Sequence, residues 1–323
     1  MRLNKIHSIK VLRLTIAHKT AVVFAYHTVG VRCLQALIDG GFEIPLVISH
    51  ADNPHENIWF ESVANLCQEH HIPILLDPDL NQPDIQAQIA QIQPDYLFSF
   101  YFRQMIPTPV LELARLAALN MHGSLLPKYR GRVPINWAVI HGETETGATL
   151  HVMEVKPDAG DIVSQERIAI GPDQTAYEVF NEVSLAAVIA LQKVLPELLR
   201  GQIPRSKNDL SQGSYFGGRK PADGLIDWNT SCEVIYNLYR AVAPPYPGAF
   251  TIIGDNQLIV AKAKKLPPNF FPSSTTLGIQ VINNQIIGCS SDFGGLFIEE
   301  LRWNHAPIYP SDLQKLLENS TKA

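Results

Sequence analysis

The stretch AVVFAYHTVGVRCLQALIDGGFEIPLVISH, residues 21–50, determines the architecture of the first part of the chain. It starts with an apolar run at 21–26, continues with a helical stretch at about 30–39 and returns to an apolar run at 44–49. Short apolar strands that alternate with helices are typical of βαβ units, in which a helix connects two parallel strands. We therefore predict an α/β domain with a mostly parallel sheet.

The same alternation continues as far as residue 204. We predict helices near 58–70, 84–92 and 134–141, and strands at 72–76, 96–101, 118–122, 148–155 and 162–170. A long helix follows, with Thr175 as its N-cap, Arg200 near its end and Gly201 as its C-cap. Residues 21–204 are thus predicted to form one Rossmann-like domain.

A second, smaller domain is predicted after a linker. Residues 205–224 are rich in Gly, Ser, Pro, Asn and Asp, as linkers are. Beyond them, a helix at 232–243 precedes short strands joined by hairpin turns at 254–256 and 283–284. This spacing favours a small, OB-like β-barrel over residues 225–305. Residues 1–20, which lack the apolar core of a signal peptide, are interpreted as an N-terminal extension, and 306–323 as a tail.

Charge and cysteine content exclude several classes of protein. The formal net charge is −5, and residues 201–323 contain 11 basic and 10 acidic side chains, so neither domain has the excess of Lys and Arg that a polyanion needs. No apolar stretch approaches the roughly 20 residues of a membrane span. The four cysteines are widely spaced, which indicates neither a disulfide framework nor a zinc site; they are Cys33, Cys67, Cys232 and Cys289. Reduced thiols in the core of a cytoplasmic protein are the favoured interpretation.

The stretch NMHGSLLPKYRGRVPINW, residues 120–137, carries the first candidate site residues. Residues two apart on a strand face the same way, so Asn120 and His122 are expected side by side, roughly 7 Å apart, at the end of a strand. Ligands of open α/β sheets bind beyond the carboxyl ends of the strands. The spacing alone leaves a buried Asn and His core pair as the commoner alternative.

A third candidate, Asp158, favours catalysis over that alternative. It lies in KPDAGDIV, residues 156–163, a turn between two predicted strands that can bring a carboxylate to an imidazole. A carboxylate beside one ring nitrogen sets the tautomer of a histidine and raises the basicity of the other nitrogen. Two further histidines are less informative: His27 lines the cleft or caps a helix, and His151 is interpreted as a core or supporting residue.

The spaced elements Asn-x-His, Ser-Leu-Leu-Pro, Tyr-Arg-Gly and a downstream Asp-Ala-Gly resemble the 10-formyltetrahydrofolate-dependent formyltransferases, over about residues 20–305. The stretches VVFAYHTVG, FSFYFR and HGETETGATLH are most similar to the branch that formylates UDP-4-amino-4-deoxy-L-arabinose in polymyxin resistance, through modification of lipid A. One position departs from that branch, since Tyr246 stands where a Trp is usual.

The resemblance implies a role for each candidate. Asn120 would donate to the oxyanion, His122 would relay a proton, and Asp158 would orient His122 and raise its pKa. The co-substrate would be 10-formyltetrahydrofolate, with no metal. The residues that the resemblance places against the folate are Gln104, Met105, Ile106, Arg132, Glu154, Val155, Lys156, Pro157 and Asp158.

Four functions remain open at this point. The first is formyl transfer to an amino-sugar nucleotide, by a protein that is either monomeric or a homo-oligomer. A methionyl-tRNA formyltransferase is the second, although a tRNA partner requires a more basic C-terminal domain. The others are a hydrolase of the formylated folate and a folate-binding module without catalysis, which is disfavoured because the Asn, His and Asp set is intact.

Overall fold

A computed structural model describes residues 18–320, and most of the predicted N-terminal extension lies outside them. The strands of the first part are β1 (Thr20–Ala25), β2 (Glu43–Ser49), β3 (Ile74–Leu76), β4 (Tyr96–Phe100), β5 (Ala117–His122), β6 (Arg130–Gly131), β7 (Glu145–Val152), β8 (Ile162–Ala169) and β9 (Tyr215–Phe216). Its helices are α1 (His27–Asp39), α2 (Val63–Glu69), α3 (Pro83–Ile92), α4 (Thr108–Leu111), α5 (Pro134–Ile140) and α6 (Ala176–Leu199).

Seven of these strands form one sheet in the order β3-β2-β1-β4-β5-β7-β8. The first five are parallel, and β7 and β8 extend the sheet in antiparallel pairing. The strand order reverses between β1 and β4, which is where open α/β sheets form a ligand crevice at their carboxyl edge. The predicted Rossmann-like, mostly parallel sheet is confirmed.

The sheet is buried on both faces. Residues of β1 alternate between two apolar clusters, with Val23 in the larger cluster and Val22 and Phe24 in the smaller one. A strand covered on both sides reads as a continuous apolar run, which explains the pattern at 21–25. Polar groups can therefore reach solvent or substrate only at the ends of these strands.

The predicted helices of this part begin and end close to the predicted positions, with three differences. Helix α1 begins at His27 and not near residue 30, and the short helix α4 was not predicted. Thr175 caps α6 in a capping box with Glu178, but Arg200 is the C-cap and Gly201 follows it with φ +76°. Helix α2 begins at Val63 and not near residue 58, because the hydroxyl of Ser62 accepts a hydrogen bond from the N–H of Asn65. The preceding aromatic residues pack near the carboxyl edge of the sheet instead.

The C-terminal part forms a second, antiparallel sheet, as predicted for an OB-like half-barrel. Its order is β10-β11-β14-β13-β12, with β15 beside β14 and helix α7 packed against three of the strands. The elements are α7 (Cys232–Val242), β10 (Ala249–Ile253), β11 (Asn256–Leu266), β12 (Gly278–Ile282), β13 (Gln285–Cys289), β14 (Gly295–Trp303), β15 (Ala306–Ile308) and α8 (Pro310–Ser320).

Two segments that the sequence assigns to a tail and a linker are ordered in the structure. Residues 306–323 were assigned to a tail, but β15 pairs with β14 and α8 packs on the barrel through the fully buried Leu313. The predicted linker is also attached, since β9 pairs with β6, which lies within residues 120–137. Residues 205–224 contain few apolar side chains, whereas Leu313, Leu316 and Leu317 have the spacing of an amphipathic helix, so the sequence does signal α8. No helix within residues 18–320 is long and apolar enough to cross a bilayer.

The buried Arg240 connects helix α7 of the C-terminal part to the backbone that precedes α6 of the first part. It lies on α7, and its Nη1 donates to the carbonyl oxygens of Gly171 and Gln174, at 3.3 and 3.1 Å, just before α6. Its Nε and Nη2 donate to Oδ1 of Asn237, at 3.0 and 2.9 Å. Hydrogen bonds from a charged donor typically stabilise by about 1.5–3 kcal/mol.

We expect Arg240→Leu to lower the free energy of unfolding by roughly 2–4 kcal/mol, since it leaves buried carbonyl oxygens without their donor. Urea unfolding followed by circular dichroism measures this. The matched control is Arg200→Leu, whose side chain is 57% exposed, and which should change stability by no more than about 0.5 kcal/mol. Equal losses of unfolding free energy in the two variants would show that the hydrogen bonds of Arg240 do not stabilise the contact between α7 and the backbone before α6.

Candidate active site

The candidate catalytic residues meet at the carboxyl edge of the large sheet. Asn120 and His122 lie at the end of β5, and His122 is buried. The loop between β7 and β8 brings Asp158, with φ +52°, to the same point. A left-handed conformation is costly for most residues but tolerated by Asp, whose short side chain can bond locally. The three residues that the sequence singled out therefore share one site.

The carboxylate of Asp158 lies between two imidazoles. Its Oδ1 is 3.5 Å from Nδ1 of His122 and also 3.5 Å from Nε2 of His151. Its Oδ2 accepts a hydrogen bond of 2.8 Å from the backbone N–H of Gly131. The second imidazole was interpreted from the sequence as a core or supporting residue, and the structure places it in direct contact with the site.

The proton positions on His122 follow from its partners. Nε2 lies 2.7 Å from the carbonyl oxygen of Tyr129, which can only accept, so Nε2 carries a hydrogen. Burial lowers the pKa of His122, while Asp158 and the carbonyl of Tyr129 partly oppose this effect. The ring is therefore neutral at pH 7, with a bare Nδ1 that faces Asp158. A proton accepted by His122 arrives on Nδ1, where the carboxylate stabilises it.

Asp158 is ionised although it is largely buried. Burial by itself raises the pKa of this carboxyl, but the positive charge that His122 takes up on protonation, the contact with a protonated His151 and the N–H of Gly131 outweigh it and hold the pKa well below its usual range. The site thus combines a neutral imidazole with a fixed negative charge. This is the electrostatic arrangement that a general base needs.

The residues expected to hold folate lie on two loops that flank β5. Gln104 and Met105 follow β4 at the carboxyl edge of the sheet. Strand β7 runs antiparallel to β5, so residues 154–157 leave it beside the amino half of β5, and the loop then brings Asp158 back to His122. Met105 and Val155 are 66% and 76% exposed, and exposed apolar side chains beside a cleft suit a planar ligand. Two members differ: the side chain of Ile106 packs in the smaller apolar cluster, and the guanidinium of Arg132 lies against Gly218.

An aromatic cluster next to the site was not found from the sequence. His27 and Tyr101 follow within two residues of the ends of β1 and β4, both with φ near +60°. The Nδ1 of His27 and the hydroxyl of Tyr101 are buried without a hydrogen-bond partner among the described residues. Burial lowers the pKa of His27 to about 3. The rings around His27 belong to Trp59, Phe60, Tyr101 and Phe180.

A cavity of about 140 Å³ lies where the linker and the C-terminal domain meet α5. Arg219 and Lys220 supply its cationic wall, and Tyr246 and Asn136 line it beside apolar residues. The guanidinium of Arg219 stacks on Trp137 at 4.9 Å from the ring centre. Val133 lines the cavity and lies two residues after Gly131, whose N–H donates to Asp158. The cavity and the candidate catalytic site are therefore close along the chain.

Among residues 18–320, no cluster of three or more His, Cys, Asp and Glu side chains is arranged to hold a metal ion. The fold and site define an α/β enzyme with a catalytic sheet and an appended antiparallel half-barrel. The chain belongs to the formyl transferase family: the profile for formyl transferase matches residues 19–195, and that for the formyl transferase C-terminal domain matches residues 219–313. The protein is therefore a formyltransferase.

Solved structures share this fold over most of the chain. WlaRD, a sugar 3N-formyl transferase crystallised with dTDP and 5-N-formyl-THF, matches with a TM-score of 0.66 and 19% identity over 90% of this chain and 98% of its own. An N-formyltransferase from Helicobacter canadensis, in complex with folinic acid and dTDP-3-aminofucose, matches with 0.65 and 18% over 87% and 98%. A 4-N formyltransferase from Francisella tularensis matches with 0.59 and 22% over 72% and 92%. At these identities the likeness is one of fold.

We expect Asp158→Asn to slow formyl transfer by about 10²- to 10⁴-fold, because the proton on Nδ1 of His122 loses its counter-charge. Asp158 raises the pKa of His122, so its removal lowers that pKa further. The acidic limb of the pH–rate profile should therefore move to lower pH. Asp161→Asn, in the same loop, is the matched control. An unmoved acidic limb would show that Asp158 serves the turn and not the imidazole.

Proposed function

We propose that this enzyme transfers the formyl group of 10-formyltetrahydrofolate to the primary amine of an amino-sugar nucleotide, with UDP-4-amino-4-deoxy-L-arabinose or a related sugar as acceptor. The observation that carries the proposal is the placement of Asp158 between the imidazoles of His122 and His151, beside Asn120. This arrangement supplies a base, its counter-charge and an amide donor within one buried site.

The site residues fit the steps of formyl transfer. The neutral amine attacks the formyl carbon, and the carboxamide of Asn120 donates to the oxyanion that forms. An aligned donor of this kind contributes about 3–4 kcal/mol. Nδ1 of His122 takes the proton of the attacking amine, and Asp158 stabilises the imidazolium. That proton then passes to N10 of the folate as the carbon–nitrogen bond to N10 breaks, which yields the formamide and tetrahydrofolate.

The two loops beside β5 are proposed to hold the folate, through Gln104, Met105 and the segment 154–158. The exposed side chains of Met105 and Val155 offer apolar surface to a flat pterin, and extended backbone offers donors and acceptors to its edge. Folates bound to WlaRD and to the protein from Helicobacter canadensis support this co-substrate, because those proteins share the fold.

The cavity beside Val133 is proposed to hold the nucleotide diphosphate of the acceptor. Arg219 and Lys220 provide two cations, and a guanidinium can bind phosphate oxygens through two parallel hydrogen bonds. Trp137 and Tyr246 add aromatic surface near these cations. The dTDP of the WlaRD structure and the dTDP-3-aminofucose of the Helicobacter canadensis structure support a nucleotide sugar, and the 4-N enzyme from Francisella tularensis supports an amine at position 4.

The methionyl-tRNA alternative is disfavoured by the ion pairs of the C-terminal domain. Lys262 and Lys264 on β11 both pair with Glu299, and Lys265 pairs with Glu233. Each of the three lysines of this strand is thus opposed by a carboxylate. A tRNA would require many uncompensated contacts to phosphates. A pathway that modifies lipid A in the cytoplasm is part of the same proposal and depends on the identity of the sugar.

A panel of acceptors tests the function. Purified enzyme with 10-formyltetrahydrofolate is given UDP-4-amino-4-deoxy-L-arabinose, other UDP- and dTDP-linked amino sugars, or initiator methionyl-tRNA, and tetrahydrofolate release is followed. We expect turnover with an amino-sugar nucleotide, and KM that rises only modestly between about 50 and 200 mM salt, unlike the roughly 10³- to 10⁵-fold loss typical of many phosphate contacts. Turnover with the tRNA alone would overturn the proposal.

We expect Arg219→Met to raise KM for the sugar nucleotide by about 10- to 100-fold, which corresponds to a lost charge-assisted hydrogen bond. KM for 10-formyltetrahydrofolate should stay within about threefold, because the folate loops are elsewhere. Arg167→Met, which removes an exposed guanidinium on β8, is the matched control. A rise in KM for the folate and not for the sugar would assign the cavity to the other substrate.

A further inference from the structure

His151 belongs to the site although the mechanism above gives it no step. It lies on β7, where it pairs in register with Asn120 of β5, and it is 2% exposed. Its Nε2 is 3.1 Å from Nδ2 of Asn120 and 3.5 Å from Oδ1 of Asp158. One buried imidazole therefore contacts both the amide donor and the carboxylate.

The tautomer of His151 follows from its other nitrogen. Nδ1 lies 2.8 Å from the carbonyl oxygen of Val152, which can only accept, so Nδ1 carries the hydrogen. In the neutral ring Nε2 is then bare and can only accept. The group of Asn120 that faces it is consequently the NH₂ and not the carbonyl oxygen.

This hydrogen bond determines which way the Asn120 carboxamide points. Within residues 18–320, the side chain of Asn120 makes no other hydrogen bond. The NH₂ group has two hydrogens, one of which is held by His151, so the second remains to donate to substrate. If the carboxamide were rotated by 180°, its oxygen would take the place of the NH₂ group that faces the substrate. An oxygen there would repel the developing oxyanion.

We propose that His151 is a positioning residue, which holds the carboxamide of Asn120 with its free N–H toward the formyl oxygen. The inference rests on the proposed function, because it assumes that Asn120 donates to the oxyanion. Its effect should appear in kcat and not in KM, since the oxyanion exists in the transition state and not in the bound substrates.

Two substitutions separate positioning from simple packing. His151→Gln places an amide oxygen near the position of Nε2, which can accept from Asn120, whereas His151→Leu keeps the bulk without an acceptor. We expect kcat to fall by about 10²- to 10³-fold in the Leu variant, the usual effect of losing an oxyanion donor, with KM for both substrates within about threefold. The Gln variant should stay within about tenfold of the wild type. Equal losses in both would contradict the proposal.

A double-mutant cycle shows which partner His151 acts through. In an Asn120→Ala background, His151→Leu should cost little further activity, because the group that it positions is already gone. In an Asp158→Asn background, the same substitution should retain most of its effect. The reverse pattern would show that His151 acts through Asp158, and would overturn the proposed role.

A spectroscopic measurement tests the same point without turnover. Long-range ¹H–¹⁵N correlation of the labelled protein reports which imidazole nitrogen of His151 bears the hydrogen, with the His151→Gln variant used to assign the signal. A bare Nε2 supports the proposal, and a protonated Nε2 overturns it even if the Leu variant does not fold. If the wild type formylates no sugar nucleotide, the proposed acceptor fails while the tautomer of His151 is still decided.

Discussion

The hydrogen bond from the N–H of Gly131 to Asp158 is the contact on which the site depends. It joins the loop after β5 to the loop after β7, and at 2.8 Å it fixes one oxygen of the carboxylate while leaving the other between two imidazoles. The left-handed backbone of Asp158 costs energy that such fixed contacts must offset. Together with the hydrogen bond from Nδ2 of Asn208 to the carbonyl oxygen of Asp158, the bond from Gly131 holds the charge beside His122.

Burial determines how the charges of the site behave. It lowers the pKa of His122, so the imidazole is neutral and able to accept a proton. It also acts against ionisation of Asp158, but the surrounding donors and imidazoles reverse that tendency. In a site of low dielectric, a fixed carboxylate stabilises an imidazolium far more than it would in water. The sheet edge thus places a neutral imidazole beside a fixed carboxylate.

The contacts between the second domain and the first determine where the cationic residues of the cavity lie. Arg240 connects α7 to the backbone before α6, and the cavity with Arg219 and Lys220 lies along the same junction. The position of these cations therefore depends on how the two sheets are held together. The paired lysines of β11, by contrast, face acidic partners.

The sequence by itself determined the alternating strands and helices, the antiparallel second domain and the placement of Asn120, His122 and Asp158 on strand end and turn, because these follow from local apolar patterns and turn residues. Only the tertiary structure decided that His151, 31 residues from Asn120, lies within hydrogen-bond distance of that side chain, that α8 packs on the second sheet, and that Arg219 faces a cavity. Strand register and burial depend on contacts between distant segments, which no local pattern encodes.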